Sequence, residues 1–312
     1  MKTALLLHLT MRALASALFV VLAFTALADA SLSKVAVTGD PGAVCTDGSA
    51  AAYYWKPAPV AAPAAPAALR LNATTSRPAA ANVWIIYLQG GGWCYDDASC
   101  KARCGDPTAF PTTGKPLCGS SSYASSKALG GIFYPEDATL RDANKVFVPY
   151  CTSDGHMGDA KTEGGFSFRG ARVVQAILRD LVENKGLGGK KGSGGGARDT
   201  VIFGGGSAGG RGAMVHLDYV PTMLGPAAAA NVDVVGFLDS PFWIDEAPFA
   251  GRTDSSFPGF NVTTKGVFAQ ANVSHLGKQC AKDYPGAEAW KCLFGQYRMP
   301  SIETPYVLVV VA

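Results

Sequence analysis

Ser207 is the side chain in this sequence best placed to do chemistry. It sits in Gly204-Gly205-Gly206-Ser207-Ala208-Gly209-Gly210, after a short apolar run at 200–203 and before a helical stretch at 208–220. Residues 205–209 spell G-x-S-x-G, the pattern of a serine lifted on a sharp strand-to-helix turn. The physics is steric. The serine takes a strained backbone conformation, and its flanks must be nearly bare so that neighbouring chain can pass close. The helix N-terminus then aims unpaired N–H groups at a reacting carbonyl. The same letters carry two rival readings. Gly204, Gly206 and Gly209 also spell G-x-G-x-x-G, which could cradle a dinucleotide pyrophosphate, and a glycine-rich packing turn needs no chemistry at all.

An acyl-transfer serine needs N–H donors for the oxyanion and a base for its proton. The amide after the nucleophile, Ala208, is one donor. Gly90-Gly91-Gly92-Trp93 follows an earlier apolar run, Val83–Leu88, and occupies the place of a second oxyanion segment. Two glycine-rich turns, each after a strand, are what a serine hydrolase requires. A dinucleotide fold does not require the early one, so the sequence favours the nucleophile elbow.

Those turns need a sheet to hold them. Val83–Leu88 is continuous, apolar and β-branched, as a buried strand should be. Residues 145–150 form a second strand, whose Pro149 suits a strand end or an edge position. Val173, Val174, Ile177, Leu178, Leu181 and Val182 make a helical stripe, and Gly186 follows as its C-cap. The helix after Ser207 is expected to stop before Pro221. Residues 232–238 are another strand, with Asp239 at its end. Residues 95–130, rich in Asp, Cys, Gly, Pro and Ser, read as a disulfide-held loop. Alternating strands and helices imply a mostly parallel sheet with helices on both faces, in which functional residues gather at the C-terminal strand ends.

Residues 1–30 read as a secretory signal peptide. Lys2 and Arg12 precede an apolar stretch, and Ala28-Asp29-Ala30 is an A-x-A cleavage site. Residues 31–312 are then one α/β domain, with a Pro/Ala-rich loop at 56–68. No other stretch is long and apolar enough to form an integral membrane segment after cleavage. A formal charge of +3 and the lack of a dense Lys/Arg patch argue against nucleic-acid binding. Eight cysteines behind a signal imply disulfides, with Cys94–Cys100 and Cys280–Cys292 as plausible short closures. No C-x2-C or H-x3-H pair points to a metal, and no cofactor is expected. Asn72-Ala73-Thr74, Asn261-Val262-Thr263 and Asn272-Val273-Ser274 are glycosylation sequons.

With these residues in view, the chain resembles the pectin acetylesterase/Notum family. The resemblance rests on 42–49 (Gly-Ala-Val-Cys-Thr-Asp-Gly-Ser), Leu88-Gln89-Gly90-Gly91-Gly92-Trp93-Cys94 and Val148-Pro149-Tyr150-Cys151. It continues through Phe168-Arg169-Gly170-Ala171, Gly206-Ser207-Ala208-Gly209-Gly210 and the segment 238–245. It implies an α/β-hydrolase-like fold, secretion to the extracellular space or cell wall, and hydrolysis of carboxylic esters. The implied substrate is an acetylated polysaccharide such as pectin, or another acyl ester. The resemblance maps the nucleophile to Ser207 and the oxyanion donors to the backbone N–H groups of Gly92, Trp93 and Ala208.

In that family the triad acid and base come late, after a strand that resembles 305–312. The chain to residue 312 has no counterpart of either, so the C-terminal part of the domain is expected to be missing and no triad Asp or His is identified. His216, on the helix after Ser207, reads as a surface or core histidine. His156 and His275 stand in loops from which either could approach the serine. Asp239 and Asp245 read as capping or turn residues. The alternative to an esterase is a catalytically inactive secreted relative that binds glycan or lipid. The uncovered Val-rich run 307–311 favours truncation over that alternative, because bare apolar strand edges promote aggregation.

Overall fold

The computed structural model describes residues 31–59, 82–110, 114–134, 138–189, 197–248 and 257–310. The expected signal at 1–30, most of the Pro/Ala-rich stretch, Asn72 and the glycine-rich 190–196 lie outside the described residues. The strands are β1 (Ser31–Ala36), β2 (Ala52–Lys56), β3 (Val83–Leu88), β4 (Ser126–Ala128), β5 (Asn144–Val148), β6 (Ala160–Lys161), β7 (Ser167–Phe168), β8 (Asp199–Gly206), β9 (Val232–Asp239) and β10 (Tyr306–Val309). The helices are α1 (Asp97–Cys104), α2 (Ala138–Arg141), α3 (Gly170–Lys185), α4 (Ala208–His216), α5 (Val220–Leu224), α6 (Pro226–Ala229), α7 (Phe260–Ala271), α8 (Lys278–Asp283) and α9 (Gly295–Arg298).

Eight strands form one sheet in the order β10-β9-β8-β3-β5-β2-β1-β4, and β6 pairs with β7 as a separate hairpin. The expected parallel sheet is there, from β10 across to β5. Three antiparallel strands extend it, which the apolar runs did not announce. The register is what matters for function. Leu88 pairs with Val148 and Gly205, and Gly206 pairs with Asp239, so four parallel strands end level with one another. The turns that leave them therefore share one rim.

Strand pleating splits the core. Trp84, Ile86, Leu88, Val201 and Phe203 face the larger cluster, with the stripe of α3 and with Ala213, Met214 and Val215 of α4. Ile85, Tyr54 and Phe147 face a smaller cluster capped by Phe133 and Ala143, with Leu140 of α2 against it. The α3 stripe is buried as its spacing requires, and Gly186 takes the left-handed C-cap conformation with its N–H on the Leu181 carbonyl.

Two local expectations change. The segment 95–130 is not only loop. Asp96 caps α1 in a reciprocal capping box with Ser99, and Cys100 and Cys104, one turn apart, face inward. Nor does the chain stop being helical at Pro221. A 3-10 turn at Leu217–Tyr219 leads into α5, where proline lies in the first turn and its missing N–H costs nothing. Pro149 does end its strand, yet β5 lies inside the sheet.

All eight cysteines pair, as Cys45–Cys151, Cys94–Cys100, Cys104–Cys118 and Cys280–Cys292. Both closures expected from short spacing are present. No helix among the described residues is long and apolar enough to cross a membrane.

Candidate active site

Ser207 stands between β8 and α4 with φ 53° and ψ −120°, a conformation that L residues seldom adopt. Its amide donates to the Asp239 carbonyl at 2.9 Å, and its own carbonyl accepts from Arg211 at 2.9 Å. These bonds fix the turn from both sides. The side chain is exposed, and no hydrogen-bond partner meets its hydroxyl among the described residues. The bare flanks are a packing requirement: a Cβ on Gly209 would lie 2.2 Å from the Leu88 carbonyl oxygen.

The early glycine turn reaches this serine. A Cβ on Gly90 would lie 3.1 Å from the Cβ of Ser207. The rest of the turn is tethered at its rim. The Arg103 guanidinium donates to the Gly91 carbonyl at 2.7 Å and to Ser153 Oγ at 3.0 Å. Cys94 donates its amide to the Ser153 carbonyl at 3.1 Å and is disulfide-bonded to Cys100. Among the described residues, the amides of Gly92, Trp93 and Ala208 meet no acceptor. Unpaired N–H groups are what an oxygen that gains negative charge requires.

The turn after β5 supports the rim without offering a nucleophile or base. Asp154 is buried, and its oxygens accept from Thr152 Oγ1 at 2.6 Å and from the amides of His156, Gly158 and Gly170 at 2.8–3.1 Å. Burial pushes its pKa up to about 6 against the pull of those donors. Its bond to Gly170 ties this turn to the start of α3.

The histidines are not brought to Ser207. His156 Nε2 lies 2.9 Å from the Gln89 carbonyl, which can only accept, so Nε2 carries the proton. His216 Nε2 likewise donates to the His156 carbonyl at 2.6 Å. Its Nδ1, 2.8 Å from His275 Nδ1, must then accept in the neutral ring, and His275 donates. Burial pulls His156 down to about 4 and His216 to about 3, and lowers His275 as well. His275 stacks on Tyr219 at 4.1 Å. His216 is thus a core histidine, and His156 and His275 are bound elsewhere.

Asp239 accepts from Ser240 Oγ at 2.9 Å and faces the Tyr87 hydroxyl at 3.5 Å. That phenol is pushed up to about 12 by burial, then by Asp239. Asp245 accepts from Tyr297 at 3.1 Å and from the Asn261 side chain. Only the Asp239–Ser240 bond is local; Asp245 is held by groups 16 and 52 residues away in sequence, which joins segments rather than capping a turn.

Arg211 escaped the sequence reading. It lies on α4 one turn after Ser207, fully buried against Trp93, Trp243 and Phe294. The available signal was a single charge inside the otherwise small and apolar run 208–215. Among the described residues, no group of three His, Cys, Asp or Glu side chains is placed to hold a metal.

Comparison with known proteins gives the family. The pectinacetylesterase family profile matches residues 66–312. Palmitoleoyl-protein carboxylesterase notum2 of Xenopus laevis is 28% identical over 273 residues, covering 85% of this chain and 48% of that protein. Human palmitoleoyl-protein carboxylesterase NOTUM is 27% identical over 274 residues, covering 85% of this chain and 47% of that one. The chain spans about half the length of these curated relatives. The crystal structure of the Wnt deacylase Notum from Drosophila superposes with a TM-score of 0.70 at 25% identity, over 89% of this chain and 70% of that one. A rim of level strand ends, two facing glycine turns and a profile match across most of the sequence lead to one conclusion: this chain belongs to the pectinacetylesterase family.

Proposed function

We propose that the protein is a secreted serine carboxylesterase that removes acetyl groups from pectin or a related extracellular polysaccharide. The observation that carries this reading is the exposed hydroxyl of Ser207, unpartnered among the described residues, on a strained elbow packed against Gly90; the amides of Gly92, Trp93 and Ala208 meet no acceptor there. Ser207 Oγ bonds to the ester carbonyl carbon, and its proton passes through water to the departing alcohol oxygen. The carbonyl oxygen takes the negative charge and rests against the three amides. The tetrahedral centre collapses, the bond between the acyl carbon and the sugar oxygen breaks, and the alcohol leaves with the proton that Ser207 released. Water then attacks the acyl-enzyme, releasing acetate and restoring the serine. Secretion is supported by the leader-like 1–30 and by four disulfides. The names of the relatives point to palmitoleoyl-protein esters for those proteins, so a longer acyl chain is the competing substrate.

The experiment is fluorophosphonate labelling of the chain and of Ser207→Ala, followed by acetate release from acetylated pectin and fatty-acid release from a palmitoleoylated peptide. Labelling that disappears in S207A, with acetate release, is the expected result. Equal labelling of both proteins would sink the reading.

A second reading, a binder without turnover, is favoured by one observation. No histidine among the described residues pairs with Ser207, and a serine without its base loses several orders of magnitude in rate. Binding of acetylated oligosaccharide with no acetate release above that of S207A would select it.

A further inference from the structure

Arg211 is an unusual group to find one helical turn from a candidate nucleophile. It is fully buried, and no carboxylate among the described residues faces it. Its Nε donates to the Leu293 carbonyl at 2.8 Å, and Nη2 donates to the same carbonyl and lies 3.5 Å from Thr264 Oγ1. Nη1 has no partner. A cation so placed loses its hydration without gaining a counter-ion, and burial pulls its pKa well below the usual arginine range. What it gains is aromatic. The guanidinium carbon is 4.3 Å from the ring centres of Trp93 and Trp243 and 5.0 Å from that of Phe294. The negative faces of aromatic rings attract a desolvated cation more strongly than an exposed one.

The geography of these contacts gives them meaning. Trp93 leaves the turn after β3, Trp243 follows β9, Thr264 lies on α7, and Leu293 and Phe294 come from the 3-10 turn beyond α8. Four chain segments thus converge on one side chain of the helix that begins at Ser207. Trp93 also packs at a tilt against Trp243, their centroids 5.0 Å apart. For filling a dry site, a methionine of similar reach would avoid the desolvation cost, and exchanging buried charges for well-packed apolar groups is often neutral or stabilising.

We infer that Arg211 is a positioning residue: its contact with the Trp93 ring holds the Gly92–Trp93 backbone against the Ser207 helix, so that the free amides stay aligned with the serine. This rests on the proposed acyl-transfer role of Ser207 and those amides. The cation touches no reacting atom. It acts through the indole, and the oxyanion exists only in the transition state. Its loss therefore lowers the rate of acylation and leaves ground-state binding alone.

The test is a cycle of Arg211→Met, Trp93→Phe and the double variant, read by fluorophosphonate labelling, thermal unfolding and acrylamide quenching of tryptophan. R211M is expected to melt within about 3 °C of wild type, little enough to exclude a general loss of stability. Its maximal labelling rate should drop roughly 10- to 100-fold at unchanged half-saturation, the cost of an ångström-scale misplacement. The same substitution in a W93F background should have a much smaller effect, because the two residues act through one contact. Quenching should rise in R211M and not rise further when Trp93 is already Phe. Should R211M fail to fold, Arg211→Lys carries the same cycle, since lysine keeps a cation over the rings with fewer bonds to Leu293. Additive effects of the two substitutions, or a folded R211M that labels at the wild-type rate, overturn the inference. If wild type and S207A label alike, the acyl-transfer reading has failed instead. The quenching cycle still judges the Arg211–Trp93 contact.

Discussion

A Cβ on Gly90 would lie 2.4 Å from the carbonyl oxygen of Gly206. Two turns far apart in sequence are therefore packed backbone against backbone, and the serine that follows Gly206 has the first of the Gly-Gly-Gly residues as its neighbour. Nothing flexible stands between them that could yield.

Gly90→Ala should consequently be costly. The added methyl meets the Gly206 carbonyl and, at 3.1 Å, the Ser207 Cβ. Overpacking of this kind destabilises by about 1–3 kcal/mol. It should also slow fluorophosphonate labelling of Ser207 by roughly 10-fold or more, as misplaced reacting groups do. Gly39→Ala is the control, because a Cβ there meets nothing within 4 Å. Thermal unfolding and labelling rates for the two variants settle the matter, and a G90A protein indistinguishable from G39A would contradict the packing.

Acid should destabilise the fold through its histidines. His156 and His216 bind protons less readily when folded, at about 4 and about 3, than the ordinary value of 6.5. In the interval between, the unfolded chain holds more protons, so stability is complete above about pH 6.5 and declines as pH falls toward 4. Asp154, raised to about 6, works the other way: its contribution is present below 3.8 and is lost as pH rises through 6. Two histidines outweigh one aspartate across the shared window. The melting temperature should fall by more than about 5 °C between pH 7.5 and 4.5. His216→Asn should flatten that slope, and a slope unchanged in H216N would assign the acid sensitivity elsewhere.

The Cys45–Cys151 bridge spans 106 residues of sequence. It joins the turn before β2 to the end of the β5 strand–turn unit, where the Thr46 amide also donates to the Cys151 carbonyl at 2.9 Å. By loop-closure entropy, removing it as C45A/C151A should cost roughly 2–5 kcal/mol in denaturant unfolding. Cys94–Cys100 closes only 6 residues and should cost less. Its removal should act more on labelling of Ser207, because Trp93 adjoins it. A reversed order of stability loss would argue against the entropic account.

The sequons at Asn261 and Asn272 should differ in use if the chain is secreted. Asn272 caps α7 in an exposed left-handed conformation, and its amide makes only a long 3.4 Å bond to the Asp159 carbonyl. Asn261 sits in the first turn of α7 with its side-chain nitrogen bound to Asp245, and the Thr263 of its sequon is 2% exposed. Enzymatic deglycosylation in heavy-oxygen water, with peptide mapping, should mark Asn272 and leave Asn261 unmarked. A glycan on Asn261 in the folded protein would contradict this.

Much of the site was legible because it is local. A glycine pattern around one serine specifies a tight turn between its own strand and helix, and that is what Gly204 to Gly210 form. The α3 stripe and Gly186 describe a helix and its end without reference to the rest of the chain. Cys94–Cys100 and Cys280–Cys292 could be paired because residues close in sequence are close in space. Other features needed the fold. The partners of Cys45 and Cys104, the antiparallel strands, the commitment of three histidines to one another and to backbone, and the burial of Arg211 under Trp93 and Trp243 all depend on long-range register. Periodicity tells a residue which face it takes. Only the packing of distant segments tells it what it will meet there.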